Sequence, residues 1–184
     1  MEDKELVIQC QEWNLAIFWV LYDRYINRIY KFIYMKTSNQ EIAEDITSEV
    51  FYKAMNSITT FKSNEESSSF KSWIYTIANN KVIDFYRTQK TETDIEDCFD
   101  LWIHHDFAHN VDNKEKLEKV LEFLETLKPD QKEIIMLRIW EDLSYKEIAE
   151  ITWKTLDNCK KIISRSLKNI QANFILLLFI ILLF

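Results

Sequence analysis

Ser144-Tyr-Lys-Glu-Ile-Ala-Glu-Ile151, continued by Thr152-Trp-Lys-Thr155 and by the basic run Lys160-Lys-Ile-Ile-Ser-Arg165, is the stretch whose reading decides the fold. Ser144 with Glu147 three positions later is a capping box and predicts a helix start. Ile148, Ala149 and Ile151 give that helix an apolar inner side. Thr152 to Lys154 is a short polar break, after which Thr155 is placed to cap a second helix. The second helix carries Leu156, Cys159, Ile163 and Leu167 on one stripe, with Lys160, Lys161, Arg165 and Lys168 off it. Two short helices with a tight turn, the second basic, have the layout of a helix-turn-helix, whose second helix fits a DNA major groove. From Lys154 to Lys168 there are five cations against one acid, and phosphate is the natural reason for such a cluster.

That cluster stands against the charge of the whole chain. The 184 residues sum to −7, with a pI of about 5.1. Nucleic-acid contact is therefore local, and the acidic surplus calls for a second, basic partner surface. Apolar residues make up 47% of the chain, enough for one or two small cores. The three cysteines, Cys10, Cys98 and Cys159, are scattered and form no CxxC, so neither a disulfide framework nor a zinc site is expected. That usage fits a reducing cytoplasm. The charged start Met1-Glu-Asp-Lys-Glu lacks a signal-peptide layout. Phe174 to Phe184 is an unbroken apolar run of 11 residues, about half of what a spanning helix needs. Three readings of it stand: a tail packing on this chain or a partner, a membrane-touching anchor, or an accident at the end of an AT-rich frame.

The chain has no glycine, where ordinary usage gives about thirteen. It has six tryptophans, and Trp153 falls in the helix-turn-helix turn, where a residue with positive φ is usually glycine. Either an AT-rich genome avoids GGN codons, or some of these tryptophans are encoded by UGA in a lineage that reads UGA as glycine. With Trp at 153, the turn is strained or takes another shape.

The rest of the chain reads as helix nearly throughout, an all-α pattern without sustained strand alternation. Residues 5–36 carry a dense aromatic and aliphatic pattern that includes Leu15, Phe18, Trp19, Leu21 and Tyr25 and predicts one or two helices with a wide buried face. Ile42, Ile46, Val50, Ala54 and Ile58 repeat every four residues and predict a helix over about 40–57, with Glu41, Glu44, Asp45 and Glu49 on its other side. Ser63 to Ser69 is a polar loop. Phe70 to Gln89 is helical, with Trp73, Ile74, Ile77, Ala78, Val82 and Phe85 inward. Thr91 to Asn113 holds seven acids and no Lys or Arg, the mark of a linker. Helical periodicity restarts at Leu117, and Lys128-Pro129 closes one helix and opens the next. The organisation is thus two small helical domains, 1–90 and 114–173, joined by an acidic linker, 91–113, with an apolar tail, 174–184.

The two halves together resemble a bacterial RNA polymerase sigma factor of the extracytoplasmic-function (ECF) group of the sigma-70 family, over residues ~13 to 173. In the first half the resemblance rests on Leu21-Tyr-Asp-Arg-Tyr25, Ala43-Glu-Asp-Ile-Thr-Ser-Glu-Val-Phe51, Phe70-Lys-Ser-Trp-Ile-Tyr-Thr-Ile-Ala-Asn-Asn80 and Asp84-Phe-Tyr-Arg87. In the second it rests on Leu127-Lys-Pro129, Glu133-Ile-Ile-Met-Leu-Arg138 and Leu143-Ser-Tyr-Lys-Glu-Ile-Ala-Glu150. It implies that the first domain binds core RNA polymerase through Asp45, Glu49 and Phe51. It implies −10 promoter contacts by Phe61, Lys71, Trp73, Asn79, Asn80 and Arg87. It implies −35 contacts by Thr155, Asn158, Lys160, Lys161, Ser164 and Arg165. Asp45 and Glu49, four apart, share a helix face. A base flipped from its stack needs a flat apolar wall and hydrogen-bonding groups, and the −10 set contains both; Phe61, Phe70 and Trp73 read equally as plain core residues.

The resemblance also implies an anti-sigma partner, and a linker that threads toward the RNA exit path of the polymerase, its carboxylates mimicking nucleic-acid charge. A solvated tether is the other reading of that linker, against which Phe99, Trp102, Ile103 and Phe107 argue. The sequence departs from the family at Trp19, where a small residue is usual, and at Asp142, Trp153 and Asp157, where glycine is common. No catalytic residue, cofactor or metal is expected. His105 and His109, four apart beside His104, Asp106 and Asp112, are the only metal-like spacing. A stand-alone helix-turn-helix regulator is the alternative reading, and it leaves Ala43–Phe51 and Phe70–Arg87 without a role.

Overall fold

The computed structural model describes residues 1–12, 14–62, 69–88 and 127–172. The acidic linker, the histidine cluster, the pattern from Leu117 to Leu124, residues 63–68 of the polar loop and the apolar tail lie outside the described residues. Every regular element among the described residues is helical. The chain divides into two compact units, Met1–Glu96 and Asp97–Phe184.

In the first unit the helices are α1 (Asp3–Gln11), α2 (Phe18–Thr37), α3 (Gln40–Ser57) and α4 (Phe70–Thr88), with single 3₁₀ turns at Leu15–Ile17 and Ile58–Thr60. Leu21, Tyr25, Ile29 and Ile33 recur every four residues and form the buried stripe of α2, which packs against both α3 and α4. The α3 stripe predicted from sequence is present: Ile46, Val50 and Ala54 are buried, and Ile58 continues it into the 3₁₀ turn. A fully buried Val or Ile side chain of this kind contributes about 1.5–3 kcal/mol. Ser38, in the left-handed conformation (φ 57°), ends α2, and the Asn39 carboxamide oxygen accepts from the Ile42 N–H at 3.1 Å to start α3. Ser69 does the same for α4, accepting from the Ser72 N–H at 3.1 Å.

The buried face expected over residues 5–36 is carried by two helices, with Leu6, Val7 and Cys10 on α1 and Phe18 onward on α2, and is interrupted between them. Leu15 is 47% and Trp19 61% exposed. The 3₁₀ turn at Leu15–Ile17 breaks the helical register between α1 and α2, so a single 3.6-residue period does not run through it.

The second unit has α5 (Pro129–Ile139), α6 (Tyr145–Thr152) and α7 (Leu156–Ala172). Pro129 is the first residue of α5, where its missing N–H and fixed φ cost nothing. The capping box at α6 is formed: Ser144 Oγ accepts from the Glu147 N–H at 3.3 Å, and the Glu147 carboxylate accepts from the Ser144 N–H at 2.9 Å. Ile134, Leu137, Ile148, Ile151, Cys159 and Ile163 make the core. Leu156 departs from the expected stripe and is 40% exposed. A helical side chain leans back over the preceding turn, and the opening residue of a helix has none to cover. Arg138 fixes the approach to α6 by donating to the Leu143 carbonyl at 2.9 Å and to Asp142 at 3.2 Å. Asp142 (φ 47°) and Trp153 (φ 57°) both take the left-handed conformation.

Candidate nucleic-acid and partner interfaces

The turn between α6 and α7 sets the direction of the basic helix. Trp153 ends α6 with φ 57° and ψ 31°, its N–H bonded to the Ala149 carbonyl, and the Lys154 N–H reaches the same carbonyl at 3.1 Å. The turn therefore keeps the left-handed shape with tryptophan in it. Thr155 Oγ1 then accepts from the Asn158 N–H at 3.2 Å, the cap expected from sequence. With Cys159, Ile163 and Ser166 buried, the opposite side of α7 is solvent-facing. Thr155, Asn158, Lys160, Lys161, Ser164 and Arg165 are all exposed, as are Lys168 and the acid Asp157. Lys154 is not part of this free set: its ammonium pairs with Asp130 at 2.7 Å and ties the turn to α5. Among the described residues, Lys160, Lys161, Arg165 and Lys168 form no ion pair. The Cys159 thiol is pushed up in pKa by burial, with smaller opposing contributions from Thr152 and Lys154.

The residues expected at the −10 element are spread along α4 and the segment before it. Phe61 is 8% exposed, and its ring lies 4.6 Å from that of Trp73. Phe70 meets both, at 6.4 Å and 5.7 Å. Trp73 and Lys71 are half-buried. Asn79 is buried and accepts from the Lys36 ammonium at 2.6 Å, so its carboxamide oxygen is engaged inside the unit. Asn80 is half-buried, and its Oδ1 is buried without a hydrogen-bond partner among the described residues. Arg87 is exposed and pairs with Asp84 at 2.6 Å. Lys71 and Arg87 lie ~24 Å apart along the helix axis. The structure therefore brings Phe61, Lys71 and Trp73 into one neighbourhood, with Asn79 and Asn80 about two turns on and Arg87 at the far end of α4.

On α3, Asp45 and Glu49 are exposed on one face. Glu49 reaches Lys81 of α4 at 2.5 Å. Phe51, expected with them, is 4% exposed and packs edge-on against Tyr22 at 4.8 Å, so it holds α3 from inside. The exposed ring of this face is Tyr52, at 68%. Its signal was present in the sequence: positions 45, 49 and 52 are spaced i, i+4, i+7 and share one face. A second residue missed by sequence reading is Gln11, whose side chain bonds two backbone carbonyls far along the chain.

Two family models match this chain in order: Sigma-70 region 2 over residues 21–92 and Sigma-70, region 4 over residues 117–170. It is 33% identical over 139 residues to the RNA polymerase sigma factor SigV of Bacillus subtilis, covering 76% of this chain and 80% of that protein. The chain belongs to the sigma-70 family. A second relative of this sigma factor is the ECF RNA polymerase sigma-E factor of Haemophilus influenzae, 30% identical over 165 residues, covering 82% of this chain and 84% of the relative. In fold the sigma factor resembles RpoE, solved in complex with the anti-sigma factor NepR from Bartonella quintana, with a TM-score of 0.56 at 19% identity, covering 84% of this chain and 94% of that one. The sigma factor's α3, most of its α2 and all six of its −10 candidates fall within the region 2 match, and nearly all of the helix-turn-helix falls within region 4. A stand-alone helix-turn-helix regulator leaves the region 2 match unexplained. Among the described residues, no cluster of His, Cys, Asp and Glu is arranged to hold a metal, and no helix is long and apolar enough to cross a membrane.

Proposed function

We propose that this sigma factor docks on core RNA polymerase through the α3 face that carries Asp45, Glu49 and Tyr52, and brings it to promoter DNA. The −10 element is opened against the neighbourhood of Phe61, Lys71 and Trp73, with the Asn80 carboxamide NH₂ donating to a base or phosphate. Asn79 and Phe51 act from inside by holding α4 and α3. Arg87 trades its exposed pair with Asp84, a contact of ~0–1 kcal/mol, for a DNA phosphate. The outer face of α7 reads the −35 element: Asn158, Lys160 and Lys161 at base edges, Thr155, Ser164 and Arg165 at phosphate. An acid at 157 fits only where it accepts from a cytosine amino group.

The single observation that carries this reading is the pair of sigma-70 region matches in order, the second ending in a capped helix whose outer cations form no ion pair among the described residues. An anti-sigma partner follows from the likeness to RpoE, which was solved with one. Action in the cytoplasm follows from the role, because promoter DNA and RNA polymerase are there. Reconstitution of the purified chain with core RNA polymerase tests the whole: co-elution and a promoter-specific transcript are expected, and absence of both defeats the proposal.

A further inference from the structure

The helix α1 lies wholly before residue 21, where the region 2 match begins, yet it grips the segments on both sides of residues 63–68. On the upstream side, the Gln11 side-chain NH₂ donates to the Ile58 carbonyl at 2.9 Å and to the Phe61 carbonyl at 2.6 Å. Both protons of one amide are thus spent on the two ends of the Ile58–Thr60 turn, which leads out of α3. On the downstream side, Asp3 accepts from the Tyr25 hydroxyl and pairs with Arg24. The Tyr25 ring in turn lies 5.5 Å from that of Phe70, the first residue of α4. Phe61 and Phe70 are the two aromatics that bracket Trp73. One nine-residue helix therefore sets the carbonyl spine beneath Phe61 and, through Tyr25, the ring beneath Phe70.

Nothing about the solubility or packing of α1 requires this double donation. Leu6, Val7 and Cys10 already bury its apolar side, while Gln11 at its end is half-buried and reaches 47 and 50 residues along the chain. A carboxamide is the side chain that can satisfy two carbonyls at once without bringing charge. We propose that Gln11 is a positioning residue for promoter opening: it fixes the Phe61 backbone so that the Phe61–Trp73 platform is formed before DNA arrives. The proposal rests on the −10 reading above. Preorganisation of this kind lowers the cost of strand opening without adding a DNA contact.

The test uses the full chain with core RNA polymerase and one promoter in two forms, fully duplex and with the −10 segment already unpaired. Gln11→Met keeps length and removes both donors, Gln11→Glu sets a carboxylate against two carbonyls, and Gln11→Lys keeps a donor. Open-complex formation on duplex DNA, read by permanganate reactivity of −10 thymines, is expected to fall about five- to tenfold for Met, further for Glu and least for Lys. The pre-opened promoter restores all three, and affinity for core is unchanged. Equal loss on both templates, or no loss on duplex, overturns the proposal. Failure of the wild-type chain to give any promoter-specific transcript would instead defeat the −10 reading itself.

A second inference rests on an independent observation. A bulky residue in the left-handed region is an outlier, and Trp153 sits there with 74% of its surface exposed. Of the three left-handed residues among those described, Ser38 and Asp142 are small or short polar types, and 153 carries a large ring. This is the position after a helix where glycine is ordinarily found, in a chain of 184 residues that contains none. Trp73, by contrast, is inside α4 and is wrapped by Phe61 and Phe70, as a true tryptophan would be. We infer that residue 153 of the native protein is glycine, encoded by UGA in a lineage that reads UGA as glycine, and that residue 73 is tryptophan. Sequencing codons 73 and 153 and measuring the mass of the native peptide 147–154 decide it. UGG at 73, UGA at 153 and a glycine mass are expected. UGG at 153, or tryptophan in that peptide, overturns the inference.

Discussion

The two units treat charge in opposite ways. In the first, charged side chains are largely engaged within the unit: Asp3 with Arg24, Glu49 with Lys81, Asp84 with Arg87, Lys36 with Asn79. In the second, Lys154 and Arg138 are engaged and hold the two turns, while the outer face of α7 keeps four cations with no internal ion pair among the described residues. Position relative to the helix-turn-helix decides which is which. Cations at the turns are structural, and cations one helical turn further on are left over for a ligand. A count of lysines and arginines along residues 154–168 does not separate these roles; burial and partners do.

The largest expected effect concerns what each unit is built on. Phe32 is fully buried, edge-on to Tyr75 at 5.1 Å. Phe32→Ala should cost about 3–5 kcal/mol in a urea melt of the first unit. Ile163→Val, which removes one methylene from the second core, should cost only about 0.5–1.5 kcal/mol. Similar losses for the two would break the view that the first unit hinges on its aromatic network.

Next in size is the electrostatic contrast itself. Lys160→Glu with Lys161→Glu should weaken binding to −35 duplex by tenfold or more. It should also make the salt dependence shallower, because two cations that lie close to the phosphates while they reach the base edges are replaced by anions. Fluorescence anisotropy across a salt series measures both. Asp45→Lys with Glu49→Lys should leave that DNA binding intact and abolish co-elution with core polymerase. A pair of variants that failed in both assays would erase the division between the units.

Smaller effects come from the two ends of α6, and they should have opposite signs. Ser144→Ala removes one side of the capping box and should cost about 1 kcal/mol. Trp153→Gly relieves a left-handed non-glycine residue and should gain about 1 kcal/mol. Chemical denaturation of the two single variants and the double variant reads this directly. A loss at 153 would mean that the ring stabilises the turn by more than its left-handed backbone costs.

These residues also mark what was legible in the sequence. The cap at Ser144, the cap at Thr155, the start at Pro129 and the four-residue stripe of α3 each follow from a local rule, and each is present. The exposure of Leu15 was not legible, because a three-residue 3₁₀ turn has no periodicity of its own. At the candidate interfaces, helical spacing locates the outer face of α7 and, at i, i+4, i+7, puts Tyr52 beside Asp45 and Glu49, while the ring that Phe51 packs against, Tyr22, lies on another helix and is not encoded locally. Gln11 was beyond reach for the same reason: its partners are 47 and 50 residues away, and no local pattern encodes a contact of that span.

The smallest effect is a pH dependence, and it too separates the units. Burial raises the pKa of Cys10, Tyr25 and Tyr30 in the first unit and of Cys159 in the second. For Tyr25 the bond to Asp3 adds to the shift. A group whose folded pKa lies above its unfolded value contributes stability that is fully present below the unfolded pKa and is lost as pH rises beyond it. For the thiols that loss begins near their ordinary value of 9.0, and for the tyrosines near 10.0. The first unit has three such groups among its described residues and the second has one, so the first should lose more urea resistance between neutral pH and about pH 10. Cys10→Ala should flatten that slope and leave the response to acid as it was. If the second unit were the more alkali-sensitive, burial of these groups would not be what sets the alkaline limit of this fold.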